Sequence, residues 1–164
     1  MCGIAGIMFK GGGDGAGTGK ALVDMLDGCQ HRGPDSTGFA LYRQPRDGEL
    51  RLRFFIGEEE QADAAVTHIN EILSEHGADT LDAERIGNTY RTTVEFDGNL
   101  QEFAYALEHA AKVISIGTSL DIIKDVGGAH EVDDTYDVNE VTGTHGLGHV
   151  RLATESDVKP EAAH

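Results

Sequence analysis

The chain opens Met1-Cys2-Gly3-Ile4-Ala5-Gly6-Ile7, and how Cys2 is understood decides the fold. The run from Cys2 to Phe9 is short, apolar and partly β-branched, which reads as a buried strand. The glycine-rich KGGGDGAGTG of Lys10–Gly19 closes it as a loop. Cys2 is then either a small apolar residue opening that strand or a nucleophile. A thiol with an ordinary pKa of about 8.5 needs a neighbouring base to become a thiolate. Removal of Met1 would supply one, because the freed α-amino group titrates near about 7.7–8.0 and can take the thiol proton. Gly3 and Gly6 leave room for other backbone to approach.

Working outward, the loop itself excludes one function. GTGK resembles the end of a phosphate-binding P-loop, but Asp14 stands where that motif needs its first Gly and Ala21 where it needs Ser or Thr. A helix follows from about Thr18 to Gln30, with Leu22, Met25, Leu26 and Cys29 on one apolar stripe. Cys29 is therefore expected to be a core filler. Gly33-Pro34 stops the helix, FALY opens a second strand, and RQPRDGE turns into the strand LRLRFFI.

The middle of the chain has its own rhythm. A helix over Glu58–Gly77 carries Ala62, Ala65, Val66, Ile69, Ile72 and Leu73 on one side. A strand is expected over Thr89–Phe96, with room for another near Ala83–Gly87. Asn99 and Glu102 form a capping box for a third helix with Leu100, Phe103, Ala104 and Leu107 inward. KVISIG reads as a strand and SLDIIKDVGG (Ser119–Gly128) as a short helix ended by its glycines. A split β-α-β-α-β layer inserted into another fold accounts for this order, with the inserted subdomain over residues 51–140. THGLGHVRLATES (Thr144–Ser156) is a buried strand with charged and polar residues at its exit.

Bulk composition narrows the classes. With 164 residues, 39% of them hydrophobic, the chain fits one globular domain. Thirteen Lys and Arg against 29 Asp and Glu leave a formal charge of −16, which repels nucleic acid and anionic membranes. A surface so acidic suits a high-salt cytoplasm, where screening removes the self-repulsion, and points to a halophile. No run approaches the about 20 apolar residues of a membrane span, so the expected location is the cytoplasm. The two cysteines can build neither a disulfide framework nor a four-cysteine zinc site. His145 and His149 would lie on one face of a strand, about 13 Å apart and too far to share an ion.

Three groups carry candidate chemistry. Cys2 is the first. Arg151, in an otherwise apolar run, is the second: its guanidinium suits bidentate capture of a carboxylate, with a structural ion pair as the alternative. Thr154 and Glu155 follow at the same strand end. Arg32 and Asp35 in HRGPDS are the third, suited to a tight turn that supports the N-terminus, with direct catalysis as the alternative.

MCGIAGI, HRGPDSTG (His31–Gly38) and GHVRLATES (Gly148–Ser156), in this order, resemble the signature set of class II glutamine amidotransferases. VISIGTSLDIIKDVG and the closing GTHGLGHVRLATES are similar to the subgroup resembling the glutamate synthase amidotransferase domain. The resemblance implies an α+β N-terminal-nucleophile (αββα) sandwich, with residues 1–164 forming one such domain. It implies that Cys2 attacks the amide of L-glutamine, forming a thioester and releasing ammonia to a synthase subunit or domain. Arg151 would hold the substrate carboxylate, with Leu152, Ala153, Thr154 and Glu155 lining the pocket. Arg32, Gly33 and Asp35 would support the turn, and no cofactor or metal is implied. The family's oxyanion hole is an Asn-Gly pair, yet Asn70, Asn88, Asn99 and Asn139 precede Glu71, Thr89, Leu100 and Glu140. An amino-terminal portion of the sandwich, weakly active alone, is therefore expected. The rival expectation is a regulatory or partner-binding α/β module in which Cys2 is incidental, and a third is a related hydrolase acting on another amide.

Overall fold

The computed structural model describes residues 2–10, 17–57, 59–153 and 158–164. In chain order the first elements are β1 (Gly3–Met8), α1 (Thr18–Cys29), β2 (Ser36–Tyr42), β3 (Glu49–Phe55), α2 (Glu59–Glu75) and β4 (Asp79–Ile86). They continue with β5 (Thr89–Glu95), α3 (Leu100–Ala110), β6 (Lys112–Gly117), β7 (Leu120–Val126), α4 (Ala129–Tyr136) and β8 (His145–Arg151). Among the described residues the fold is α+β, with two four-stranded sheets ordered β1-β8-β2-β7 and β4-β5-β3-β6. The chain divides into two compact units, Met1–Gln44 with Ile122–His164 and Pro45–Asp121.

In the first unit β8 is an inner strand, antiparallel to β1 on one side and to β2 on the other. Helix α1 follows the expected stripe in part: Leu22 and Leu26 are buried, Met25 and Cys29 are only partly so, and Val23, outside that stripe, is buried as well. The leucines reach the sheet because β8 has no side chain in their way. A Cβ on Gly146 or Gly148 would come within 2.6 Å of Leu22 Cδ1 or Leu26 Cδ1. Each buried leucine contributes about 1.5–3 kcal/mol relative to exposure.

Two expectations are corrected here. β1 is a strand, but it is an edge strand, and Ile4 and Met8 are 74% and 70% exposed. Ile4 and Met8 pair with His149 and His145 of β8, and Leu147, between those histidines on the same side of β8, is 54% exposed. Ser119–Gly128 is not a helix. β7 occupies it with Asp121 and Ile123 buried, a period of two, and two adjacent β-branched isoleucines favour a strand. The glycines precede the next helix instead of ending one, and Gly127 takes a positive φ of 96° that suits glycine.

The second unit runs β-α-β-β-α-β, the split arrangement with the extra strand in place. β4 starts at Asp79, and its exposed charged residues mask the strand pattern while protecting a sheet edge. Leu50, Leu52, Phe54, Tyr90 and Val94 pack with Ile69, Leu73, Phe103 and Leu107 in one core. Asn99 caps α3 by accepting from the Gln101 and Glu102 amides, whereas Leu100, at the first helical position, stays 46% exposed. Tyr90 donates to Asn70 Oδ1 at 2.9 Å, and burial raises its pKa.

On β3, Arg53 is 2% exposed. Its Nε and Nη2 donate to the Asp121 carboxylate at 2.8 and 3.1 Å, and its Nη1 donates to Thr89 Oγ1 at 3.2 Å. Removing one member of such a pair strands a buried charge. Asp121→Ala is expected to lower unfolding free energy by about 3–5 kcal/mol in urea titrations. Arg53→Met with Asp121→Leu is expected to match the wild type, and a single variant as stable as wild type would contradict this assignment.

Candidate active site

Sheet register brings three strand ends together. Gly3 pairs with Val150 and Ser36 with Arg151, so the start of β1, the start of β2 and the finish of β8 share one end of the sheet. Cys2 immediately precedes Gly3 and is a free, exposed cysteine. Arg151 is 7% exposed. A free cysteine and a buried arginine thus stand at the ends of neighbouring strands, which lie about 4.8 Å apart in any sheet.

The turn between α1 and β2 fixes that end. After Cys29 the helix tightens into a 3-10 turn over Gln30–Arg32, and the Gly33 amide donates to the Gln30 carbonyl at 3.1 Å. Gly33 is buried flat against the Val150–Arg151 peptide. A Cβ there would stand 2.4 Å from the Val150 carbonyl carbon and oxygen and 2.5 Å from the Arg151 nitrogen. Asp35 then bridges to β8 twice. Its amide donates to the Arg151 carbonyl at 3.1 Å, and its Oδ2 accepts from the Ala153 amide at 2.7 Å. The other side of the turn is held by the loop after β7. The Gly127 amide donates to the Asp35 carbonyl at 3.0 Å, and Thr37 Oγ1 donates to the Gly127 carbonyl at 2.9 Å.

Of the residues singled out from sequence, Cys2, Gly33, Asp35, Arg151 and Ala153 therefore meet at this end of the sheet. Leu152 is 37% exposed beside them. Arg32 is exposed at the end of the 3-10 turn. Thr154 and Glu155 lie outside the described residues. Two further residues, Ser36 and Gln30, stand beside them and were not legible in advance. Ser36 is 1% exposed, opposite Arg151, and its buried hydroxyl has no hydrogen-bond partner among the described residues. Its signal was its place directly after the HRGPD turn. Gln30 carried none, since a glutamine at a helix end is unremarkable until its partners are known.

His149 precedes Arg151 by two residues on the same side of β8. Its ring stacks on His164 with centroids 5.7 Å apart, between Ile4 of β1 and Gly38 of β2 in the register. Burial, and then the charges of His164 and Arg151, hold His149 below the ordinary histidine value of 6.5, although a backbone bond to His164 works the other way. His145 stacks instead on Tyr42 at 4.1 Å. Among the described residues no three His, Cys, Asp or Glu side chains are grouped to hold a metal ion.

No family model matches the chain. Over its whole length it is similar to a protein named "Putative glutamine amidotransferase" from Methanothermobacter thermautotrophicus, at 34% identity and covering 56% of that protein. It is also similar, over its whole length, to "Glutamine amidotransferase-like protein GlxB" from Rhizobium meliloti, at 30% identity and covering 54% of that protein. The chain spans about half the length of these curated relatives.

Two outcomes follow from the geometry. Gly33→Ala sets a methyl against backbone that cannot rotate away, so a loss of about 1–3 kcal/mol is expected in thermal or urea unfolding. For His149 the folded state binds its proton less readily than the unfolded state does. Stability is then fully present above the ordinary histidine value and falls as pH drops through it toward the lowered one. Between about pH 7.5 and pH 5.5 the wild type is expected to lose more thermal stability than His149→Gln, and equal losses would contradict the assignment.

Proposed function

We propose that this chain carries the glutaminase site of a class II glutamine amidotransferase, with Cys2 as nucleophile. The observation that carries the proposal is the register that sets Cys2 and Arg151 at the same end of adjacent strands. The whole-length similarity to two proteins with glutamine amidotransferase names supports it.

In this mechanism the freed α-amino group of Cys2 takes the thiol proton, directly or through one water. Cys2 Sγ then attacks the side-chain amide carbon of glutamine. As the tetrahedral intermediate collapses, the carbon–nitrogen bond breaks and the proton returns to the leaving nitrogen, which departs as ammonia. Water adds to the γ-glutamyl thioester, the carbon–sulfur bond breaks, and glutamate leaves with the thiol restored. Arg151 holds the substrate carboxylate in its fork, and Leu152, Ala153, Thr154 and Glu155 line the pocket. Arg32, Gly33 and Asp35 support the turn, and the ammonia passes to a glutamate-synthase-like partner.

The same proposal gives the first sheet a place in an N-terminal-nucleophile sandwich. Helix α1 covers one side of that sheet, while Ile4, Met8 and Leu147 stand exposed on the other. An apolar sheet face is an expected packing surface, and in this proposal it is the inner face of the sandwich.

The test uses diazo-oxo-norleucine, a reactive glutamine analogue, with mass spectrometry of the labelled peptide. Chain lacking Met1 is expected to be labelled at Cys2, and Cys2→Ser to take no label there. Arg151→Ala is expected to weaken apparent analogue binding about 10- to 100-fold, the effect of losing a charged hydrogen-bonding pair. Absence of labelling, or labelling indifferent to Arg151, would favour a binding module or a hydrolase of another amide.

A further inference from the structure

We propose that Gln30 is a positioning residue for Arg151, acting through Gly33. The inference rests on the proposal that Arg151 binds the glutamine carboxylate, and it adds a residue whose side chain touches neither substrate nor nucleophile.

Gln30 uses both ends of its amide. Its Nε2 donates to the Gly33 carbonyl at 2.8 Å, and its Oε1 accepts from the Ala129 amide at 2.8 Å. The Ala129 amide is one of the first donors of α4, which have no partner inside their own helix. Gly128 packs closely here: a Cβ on it would stand 3.3 Å from Gln30 Cδ and Oε1. The side chain is thus a spacer of fixed length between the start of α4 and the Gly33 carbonyl. Only a primary amide offers a donor and an acceptor at the end of that stem. Glutamate keeps the acceptor alone, and methionine keeps the shape alone.

What Gln30 fixes is the height of Gly33 over β8. Gly33 has no clearance to the Val150–Arg151 peptide, so it cannot sink, and the hydrogen bond from Gln30 keeps it from lifting. Asp35, two residues on, ties to the Arg151 carbonyl and the Ala153 amide. Loosening Gly33 therefore loosens the peptide that carries Arg151, and displacements of this size matter to bound geometry. Cys2, just before β1, makes none of the bonds named here.

The experiment compares wild type, Gln30→Met and Gln30→Glu of the full chain. Cys2 is labelled over a range of diazo-oxo-norleucine concentrations and, separately, alkylated with iodoacetamide, which carries no carboxylate. In both variants the half-saturating analogue concentration is expected to rise about tenfold, the effect of one hydrogen bond. Iodoacetamide alkylation of Cys2 is expected to stay within about twofold of wild type, since its access and base are untouched. A wild-type response in Gln30→Glu would overturn the inference, because Gln30 would then serve α4 alone. Equal losses toward both reagents would also overturn it, as a general loosening. If wild type takes no analogue label, the proposed function fails, and amide exchange decides the positioning separately. The Asp35 amide is then expected to exchange about tenfold faster in Gln30→Met with α1 unchanged, and unchanged exchange at Asp35 overturns the inference.

Discussion

The contact on which the candidate site depends is between two pieces of backbone: Gly33 lying against the Val150–Arg151 peptide. No side chain mediates it, and none could fit. Everything near it is arranged to keep that contact closed. Asp35 offers its amide to Arg151 and its carboxylate to Ala153. Gly127 and Thr37 close the turn from behind. A carboxylate accepting from a main-chain amide makes a charge-assisted bond, stronger than a neutral one. The last residues of β8 are thereby held by a turn over a hundred positions earlier in sequence.

The Arg151 guanidinium belongs to a residue only 7% exposed, and a buried charge is costly unless paired and hydrogen-bonded. Arg53 in the other unit shows a closed solution, with Asp121 and Thr89 as its partners and all within one compact body. Arg151 differs in place, since it ends its strand next to the part-exposed Leu152, at the end of the sheet where the exposed Cys2 precedes β1. Both are buried cations, and Arg151 is the one at a strand end.

The sequence made much of this legible where one local pattern and one tertiary demand agreed. Leu22 and Leu26 at helical spacing, and Ile69 and Leu73 in α2, face the cores their periodicity implies. Asn99 caps as its chemistry suggests. Legibility failed where pairing partners decide. Ser119–Gly128 is ten residues with a glycine pair, compatible with a helix or strand until the neighbouring β2 is known. β1 reads as buried from its composition, but edge position is a property of sheet order and cannot be seen in the strand itself. In the candidate site, Gly33 and Asp35 stand out in the sequence as parts of one motif. Gln30 escaped because its role is defined by two main-chain partners distant in kind: a carbonyl three residues away and an amide on α4.

The two cysteines, alike in composition, are separated by packing. A Cβ on Gly3 would stand 2.9 Å from Val150 Cγ2 and 3.0 Å from Cys29 Cβ. Gly3 therefore lets the end of α1 close directly onto β1, and Cys29 is small enough to occupy that junction. A larger residue at either position would push helix and strand apart where Cys2 begins. The same contact that gives Cys29 a packing role gives Cys2 a firm base: its backbone leads into a strand pinned between β8 and the helix end. Cys2 itself stays exposed. An exposed thiol and a closely packed peptide behind it are thus set by neighbouring residues, Cys2 for the one and Gly3 with Cys29 for the other.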